Sequence, residues 1–92
     1  MKVYSNILDM VGQTPMLEVN HLDTGKCRLF LKLELMNPAG SIKDRIGVSM
    51  IEEAEKRGDL KPGDTIVEAT AGNTGLGLAL AAAQKKYPLI LV

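Results

Sequence analysis

Between residues 28 and 35 the chain alternates. Leu29, Leu31, Leu33 and Leu35 fall on one side, Arg28, Phe30, Lys32 and Glu34 on the other, the period-two pattern of a half-buried strand. A shorter apolar stretch, Met16 to Val19, follows Thr14-Pro15, where the residue before proline avoids the helical region; it is expected to pair antiparallel with 28–35. Near the start, Ser5 or Asn6 can cap a short helical turn, Ile7 to Met10, ended by Gly12. From Ile42 the period becomes helical: Ile42, Ile46, Met50 or Ile51, and Ala54 recur on one face. That helix should run to about Arg57 and stop at Gly58, with Glu52/Lys56 and Glu53/Arg57 as i,i+4 pairs on its wet side. Thr65 to Ala69 reads as a strand. Leu76 to Lys86 reads as a helix apolar almost all round, expected to be covered on most sides. Pro88 to Val92 begins another buried strand. Strand, helix and strand make a βαβ unit with a right-handed crossover. The polar stretches Asn20 to Lys26 and Asp59 to Asp64 connect these elements.

Two of the breaks in this pattern carry candidate chemistry. In Asn37-Pro38-Ala39-Gly40-Ser41-Ile42-Lys43-Asp44-Arg45, Pro38 and Gly40 stop the strand pattern, and Ser41 with Asp44 reads as a Ser-x-x-Asp capping box. Lys43 then sits in the first helical turn, in one row with Gly47, which leaves space for something flat beside it. Two readings stand: a solvated lysine on a capped amphipathic helix, or an amine that sheds its proton and attacks a carbonyl. The helix dipole supplies only about 0.3–1 kcal/mol, less than one pKa unit at roughly 1.4 kcal/mol. Burial can move a lysine by about 3–5 units, so desolvation or a cofactor must do most of the lowering.

The second break, Thr70-Ala71-Gly72-Asn73-Thr74-Gly75, lies between a strand's carboxyl end and a helix's amino end. Backbone amides there face outward and bind anions such as carboxylate or phosphate. The glycine order over 72–77 is G-x-x-G-x-G; it is not the dinucleotide order G-x-G-x-x-G, and no G-K-[ST] follows. A small-residue turn that lets strand and helix pack closely reads equally well.

Composition narrows the picture. Apolar residues at 46% and charged ones at 24%, with eleven basic and eleven acidic side chains, describe a soluble globular chain of 92 residues, at most one small domain. Tyr4, Phe30 and Tyr87 are the only aromatics, too scattered for a base-stacking platform, which argues against nucleic acid. Cys27 stands alone, so no internal disulfide forms and a reducing, cytoplasmic setting is expected, with the thiol half-buried at a strand edge. His21 reads as a solvated loop residue, and no metal-ligand cluster can be assembled from one cysteine and one histidine. The first residues carry no signal-peptide pattern, and no apolar run approaches a membrane span.

Asn-Pro-x-Gly-Ser-Ile-Lys-Asp-Arg at 37–45 and Glu-Ala-Thr-Ala-Gly-Asn-Thr-Gly at 68–75, in order after Val11-Gly12-Gln13-Thr14-Pro15, resemble the opening of a cysteine synthase or cystathionine β-synthase. These are pyridoxal-phosphate enzymes of the tryptophan-synthase-β fold type. The resemblance covers all 92 residues. It implies an α/β fold, a three-layer arrangement of sheet and helices, of which this chain is the amino-terminal part. Residues 16–35 would belong to the larger domain's sheet and 41–92 would open the smaller domain. It further implies that Lys43 binds pyridoxal phosphate covalently and later shuttles the substrate α-proton. Asn73 would hold the cofactor's ring oxygen, and Thr70, Ala71, Gly72, Asn73 and Thr74 would grip the substrate's α-carboxylate. The reaction would be β-replacement on an activated serine such as O-acetylserine by sulfide or a thiol, in a homodimer at full length. Ala71 stands where many cysteine synthases carry serine, removing a hydroxyl beside the substrate, and Lys86 stands where a helix-ending glycine is common. The family's glycine-rich phosphate grip and the hydroxyl facing the pyridine nitrogen come later than these residues, so residues 1–92 alone are expected to show little or no turnover, with an open apolar edge at 88–92. The competing expectation is a non-catalytic βαβ module that binds an anionic metabolite or a partner protein.

Overall fold

A computed structural model describes residues 1–92. After a 3-10 turn at Ile7–Met10, capped by Asn6 through its side chain, strand β1 (Met16–Glu18) pairs antiparallel with β2 (Phe30–Lys32). Leu17 sits opposite Leu31 in that register. A second 3-10 turn, Glu34–Met36, leads to helix α1 (Lys43–Arg57). Strand β3 (Ile66–Glu68), helix α2 (Asn73–Lys85) and strand β4 (Leu89–Leu91) follow, with β3 and β4 parallel and Val67 opposite Ile90. The two strand pairs form two separate sheets. No helix is long and apolar enough to cross a membrane.

The core is the face between α1 and α2, where Ile51, Leu78, Ala81, Ala82 and Tyr87 are buried together. Small residues let the helices approach closely. Beyond the apolar contact, Glu55 of α1 accepts from Lys85 Nζ (2.9 Å) and from the Tyr87 hydroxyl (2.7 Å), tying the two helices at their far ends. The Lys85 bond, and then the Tyr87 bond, hold the Glu55 carboxyl below its ordinary range; Glu55 in turn pushes the Tyr87 phenol up.

Each expected strand and helix is present, but several differ in extent and surroundings, and the 3-10 turn at Glu34–Met36 falls where strand was expected. The leucine-bearing stretch is extended only over 30–32, because Glu34–Met36 turns into a 3-10 helix that brings Asn37 back onto Glu34. Its apolar face is open, with Leu29, Leu31 and Leu35 exposed, since β1 and β2 gain neither a third strand nor a covering helix among these residues. The same holds for Ile90, Leu91 and Val92, expected to be buried. Helix α2 is covered on one face by α1, while Leu76 stays exposed. The i,i+4 pairs do not form: Lys56 meets Glu53 at i,i+3, and Arg57 turns to Asp59 beyond the helix end. Cys27 is exposed in the loop before β2, outside the strand.

Candidate active site

Lys43 heads α1, as its position in the sequence implies, but the cap is built differently from a capping box. Ser41 Oγ accepts from the Lys43 amide at 3.1 Å, while the residue flanking the helix is Ile42, already helical in its dihedrals. The Asp44 carboxylate does not return to Ser41. It is wholly buried and takes the Ala39 amide at 2.6 Å, closing the Ala39-Gly40-Ser41 turn against the helix start. Its other oxygen, Oδ1, is buried without a partner. The Lys43 side chain is half-buried, and no carboxylate lies within salt-bridge distance of its amine.

Gly47 does not leave room for a ligand. A Cβ there would meet the Gly77 main chain, its oxygen at 2.5 Å, and the Leu78 nitrogen at 2.7 Å. Reciprocally, a Cβ on Gly77 would press on the Lys43 carbonyl oxygen and lie 2.7 Å from its carbon. Helices α1 and α2 thus touch backbone to backbone at the lysine itself. Gly77 is one turn beyond Asn73, so this contact sets Lys43 beside the start of α2.

That start lies three residues earlier than the periodicity indicates, because Asn73, Thr74 and Gly75 already form the first turn. Gly72 precedes it and offers no side-chain cap, and the turn holds no acidic residue. The amides of Gly75 and Leu76 turn in to the Gly72 carbonyl (3.1 and 3.4 Å). Those of Asn73 and Thr74, at the first helical positions, have no acceptor within the helix. Nothing lies within 4 Å of a Cβ built on Gly72, so the main chain there is open to an approaching group. Ala71, Gly72 and Asn73 are exposed, and Thr70 and Thr74 half-buried. The Thr70 hydroxyl accepts from the Gly72 amide at 3.3 Å, folding the loop on itself. A bare helix start of this kind attracts an anion.

The largest cavity, about 740 Å³, lies elsewhere. It is a groove between α1 and β3 lined by Ile46, Met50, Leu60 and Ile66 among others, and it includes neither Lys43 nor any residue of 70–74.

A cluster that the sequence pattern does not single out stands behind the lysine. Glu34, assigned to the wet face of a strand, instead sits at the start of a turn and receives Arg45 through two bonds, Nε to Oε2 (2.9 Å) and Nη2 to Oε1 (2.8 Å). The Thr14 hydroxyl (2.9 Å) and Asn37 Nδ2 (2.7 Å) complete its set. The Arg45 guanidinium above all holds the Glu34 carboxyl far down, at about 2. The signal in the sequence was the pairing of Gly12-x-Thr14 with Glu34-x-x-Asn37, two motifs that alternation alone does not connect.

An α/β piece with a lysine at one helix start, pressed against a second helix whose start is bare, is the class of site at hand. Known proteins share this sequence and fold. The family model described as "Pyridoxal-phosphate dependent enzyme" matches residues 7–92. The chain is 53% identical over 94 positions to cystathionine beta-synthase of Mus musculus, covering 99% of this chain and 17% of that protein. It is 54% identical over 91 positions to cysteine synthase B of Pseudomonas aeruginosa, covering 97% and 30%. In structure it matches a hydrogen sulfide-producing enzyme of Fusobacterium nucleatum with a TM-score of 0.94 and 44% identity, over 99% of this chain and 30% of that one. The chain belongs to the pyridoxal-phosphate-dependent enzyme family and has the fold of its members' amino-terminal part. It spans less than a third of the length of these relatives.

Proposed function

We propose that the full-length protein carries out pyridoxal-phosphate-dependent β-replacement on an activated serine, O-acetylserine or serine, with sulfide or a thiol as the incoming group. That reaction serves cysteine synthesis or transsulfuration, the chemistry for which relatives of both kinds are named. One observation carries the reading. Lys43, half-buried and without an ion-pair partner, is fixed by backbone contact beside an uncapped helix start. These residues fit the cofactor: an amine available to bond its aldehyde carbon, and open amides that leave the neighbouring space to an anion.

When bound, pyridoxal phosphate supplies an electron sink at the substrate's α-carbon. Lys43 would anchor it covalently, and its Nζ would hold and return the α-proton. The amides and hydroxyls of Thr70, Ala71, Gly72, Asn73 and Thr74 would orient the substrate by its α-carboxylate, and the Asn73 side chain would hold the cofactor's ring oxygen. Over the whole exchange the bond from the β-carbon to its oxygen leaving group breaks and a bond to sulfur forms there; the α-proton removed by Lys43 goes back to the α-carbon. We assign residues 16–35 to the sheet of a larger domain and 41–92 to the opening of a smaller one, in a homodimer working in a reducing cytoplasm. Residues 1–92 alone carry the lysine without a phosphate grip and turn over little or nothing.

The test is covalent mapping. The full-length protein is incubated with pyridoxal phosphate, reduced with borohydride and digested. The label is expected on the peptide containing Lys43 and absent in Lys43→Ala. A protein that stays colourless with pyridoxal phosphate, or melts cooperatively and binds anions with indifference to Lys43→Ala, is the non-catalytic module instead.

A further inference from the structure

We infer that Glu34 and Arg45 are positioning residues for Lys43: a polar latch that sets the rotation of α1 and so the direction in which the lysine points. The inference rests on the catalytic reading of Lys43 above.

Arg45 follows Lys43 by two residues, about 200° around the helix. The two side chains therefore leave α1 on nearly opposite flanks. On the Lys43 flank, α1 touches the backbone of α2 through Gly47 and Gly77. On the Arg45 flank, the guanidinium forks onto Glu34 (2.9 and 2.8 Å) and its Nη2 also donates to the Gly12 carbonyl and the Thr14 hydroxyl, both at 3.2 Å. Asn37 closes the ring, donating to Glu34 and accepting from the Gly12 amide at 2.8 Å. The approach is close enough to require glycine at position 12: its φ is +85°, and a Cβ there would lie 2.8 Å from Arg45 Nη1.

Every bond to the Glu34 carboxylate thus comes from a segment that meets α1 at its start, and the carboxylate's acceptor positions are filled. Glu34 is only 17% exposed and Arg45 35%, so water competes weakly for the pair. Strands β1 and β2 pack chiefly on each other, and the latch, together with Leu8 packed on the helix core, joins their end of the chain to the helix that carries the lysine. Turning α1 about its axis would pull a forked, planar guanidinium off its carboxylate, which a lysine's single ammonium would not resist in the same way.

The experiment uses the full-length protein, stripped of cofactor and then given pyridoxal phosphate. The rate of borohydride-trapped label on Lys43 is scored per folded molecule by circular dichroism, below each variant's melting midpoint, beside kcat and KM for O-acetylserine. Arg45→Lys keeps the charge and loses the fork; Glu34→Asp keeps the charge and shortens the reach. Both are expected to fold, to label Lys43 about 10-fold to 100-fold more slowly and to lose kcat in the same proportion, as an ångström-scale misplacement does. KM should move less than about threefold, because the carboxylate grip sits on α2. Variants that melt earlier yet label at the wild-type rate and keep kcat reduce the latch to a stability element and overturn the inference; so does a pair of variants that fold at no temperature. Failure of the wild-type protein to label at Lys43 overturns the functional reading itself, a separate result.

Discussion

The two long helices begin in opposite ways. At the start of α1 the chain meets its own needs: Ser41 Oγ takes the Lys43 amide, and the Asp44 carboxyl, buried in the first turn, takes the Ala39 amide. At the start of α2 nothing of the kind is present. Gly72 has no side chain to offer, and no acidic residue stands in the turn. Both starts follow a glycine-containing turn, yet one brings its own side-chain acceptors and the other leaves its first amides open. A helix start that carries its own acceptors has little to offer a ligand's anion, so what α1 presents is the lysine. The bare start presents amides. Backbone contact between Gly47 and Gly77 then holds the two offers side by side, the arrangement that the proposed reaction would use: one group for the α-carbon, another for the carboxylate.

The largest effects test that division directly. Lys43→Ala in the full-length protein should abolish cofactor labelling and lower turnover by at least about 10²–10⁴-fold, with KM for the amino acid measured wherever residual turnover permits. Gly72→Ala should do the reverse. Since nothing stands within 4 Å of the added methyl, the fold and the labelling of Lys43 should be unchanged while KM rises about tenfold, roughly the loss of 1.4 kcal/mol of carboxylate binding. Steady-state kinetics on both variants decides. A Gly72→Ala protein with unaltered KM would erase the distinction between the two starts.

Next in size is the carboxyl built into α1. Asp44→Ala leaves the Ala39 amide without its acceptor in a buried setting, which should cost about 1–3 kcal/mol of stability, read from urea unfolding at neutral pH. No change on removing this carboxylate would mean that α1 is as bare in energy as α2. The latch behind it has a pH signature. Glu34 is depressed from 4.5 to about 2 by Arg45 first and by Thr14 and Asn37 after it. A depressed carboxylate contributes stability that is present in full above its unfolded value and is lost as pH falls through its folded one. The gap in unfolding midpoint between wild type and Glu34→Gln should therefore stay constant above pH 4.5 and close between there and pH 2. A gap that persists at pH 2 would show that shape, and not charge, holds the latch.

What the sequence discloses about these two regions follows from how local each feature is. Lys43 in a first turn, Gly58 ending α1 with φ +78°, and the small-residue turn between β3 and α2 are set by neighbours a few residues apart, and all are where the residues imply. The space beside Gly47 is filled by Gly77, thirty positions away, which no helical wheel of α1 contains. Asp44 was assigned to Ser41 by spacing, but the turn at Ala39-Gly40 brings a nearer donor. Glu34 obeyed the strand alternation until Asn37 pulled the chain into a 3-10 turn and Arg45 arrived from the next helix. The leucine face and the 88–92 strand read as buried because an apolar pattern reports that a face is apolar, and not what lies against it. Ile90, at 53% exposure, is left uncovered.

The smallest effect concerns the far end of α2. Lys86 ends the helix in the left-handed region, φ +64°, the one non-glycine residue of the chain at positive φ. For a residue with a Cβ that conformation costs roughly 1–2 kcal/mol, and glycine takes it without strain. Lys86→Gly should accordingly stabilise the protein, by about 1 kcal/mol after the greater chain entropy that glycine loses on folding is deducted. The gain, read from the urea midpoint, would be modest, but the variant probes the comparison from a direction the others do not. Helix-terminal electrostatics fall off within a turn, and Lys86 is more than three turns from Gly72. If the start of α2 acts through its own open amides, relieving strain at the other end must leave KM for the amino acid where it was. A KM that moved with Lys86→Gly would mean the grip depends on how firmly the whole helix is seated, and the contrast between a filled start and a bare one would no longer explain the site.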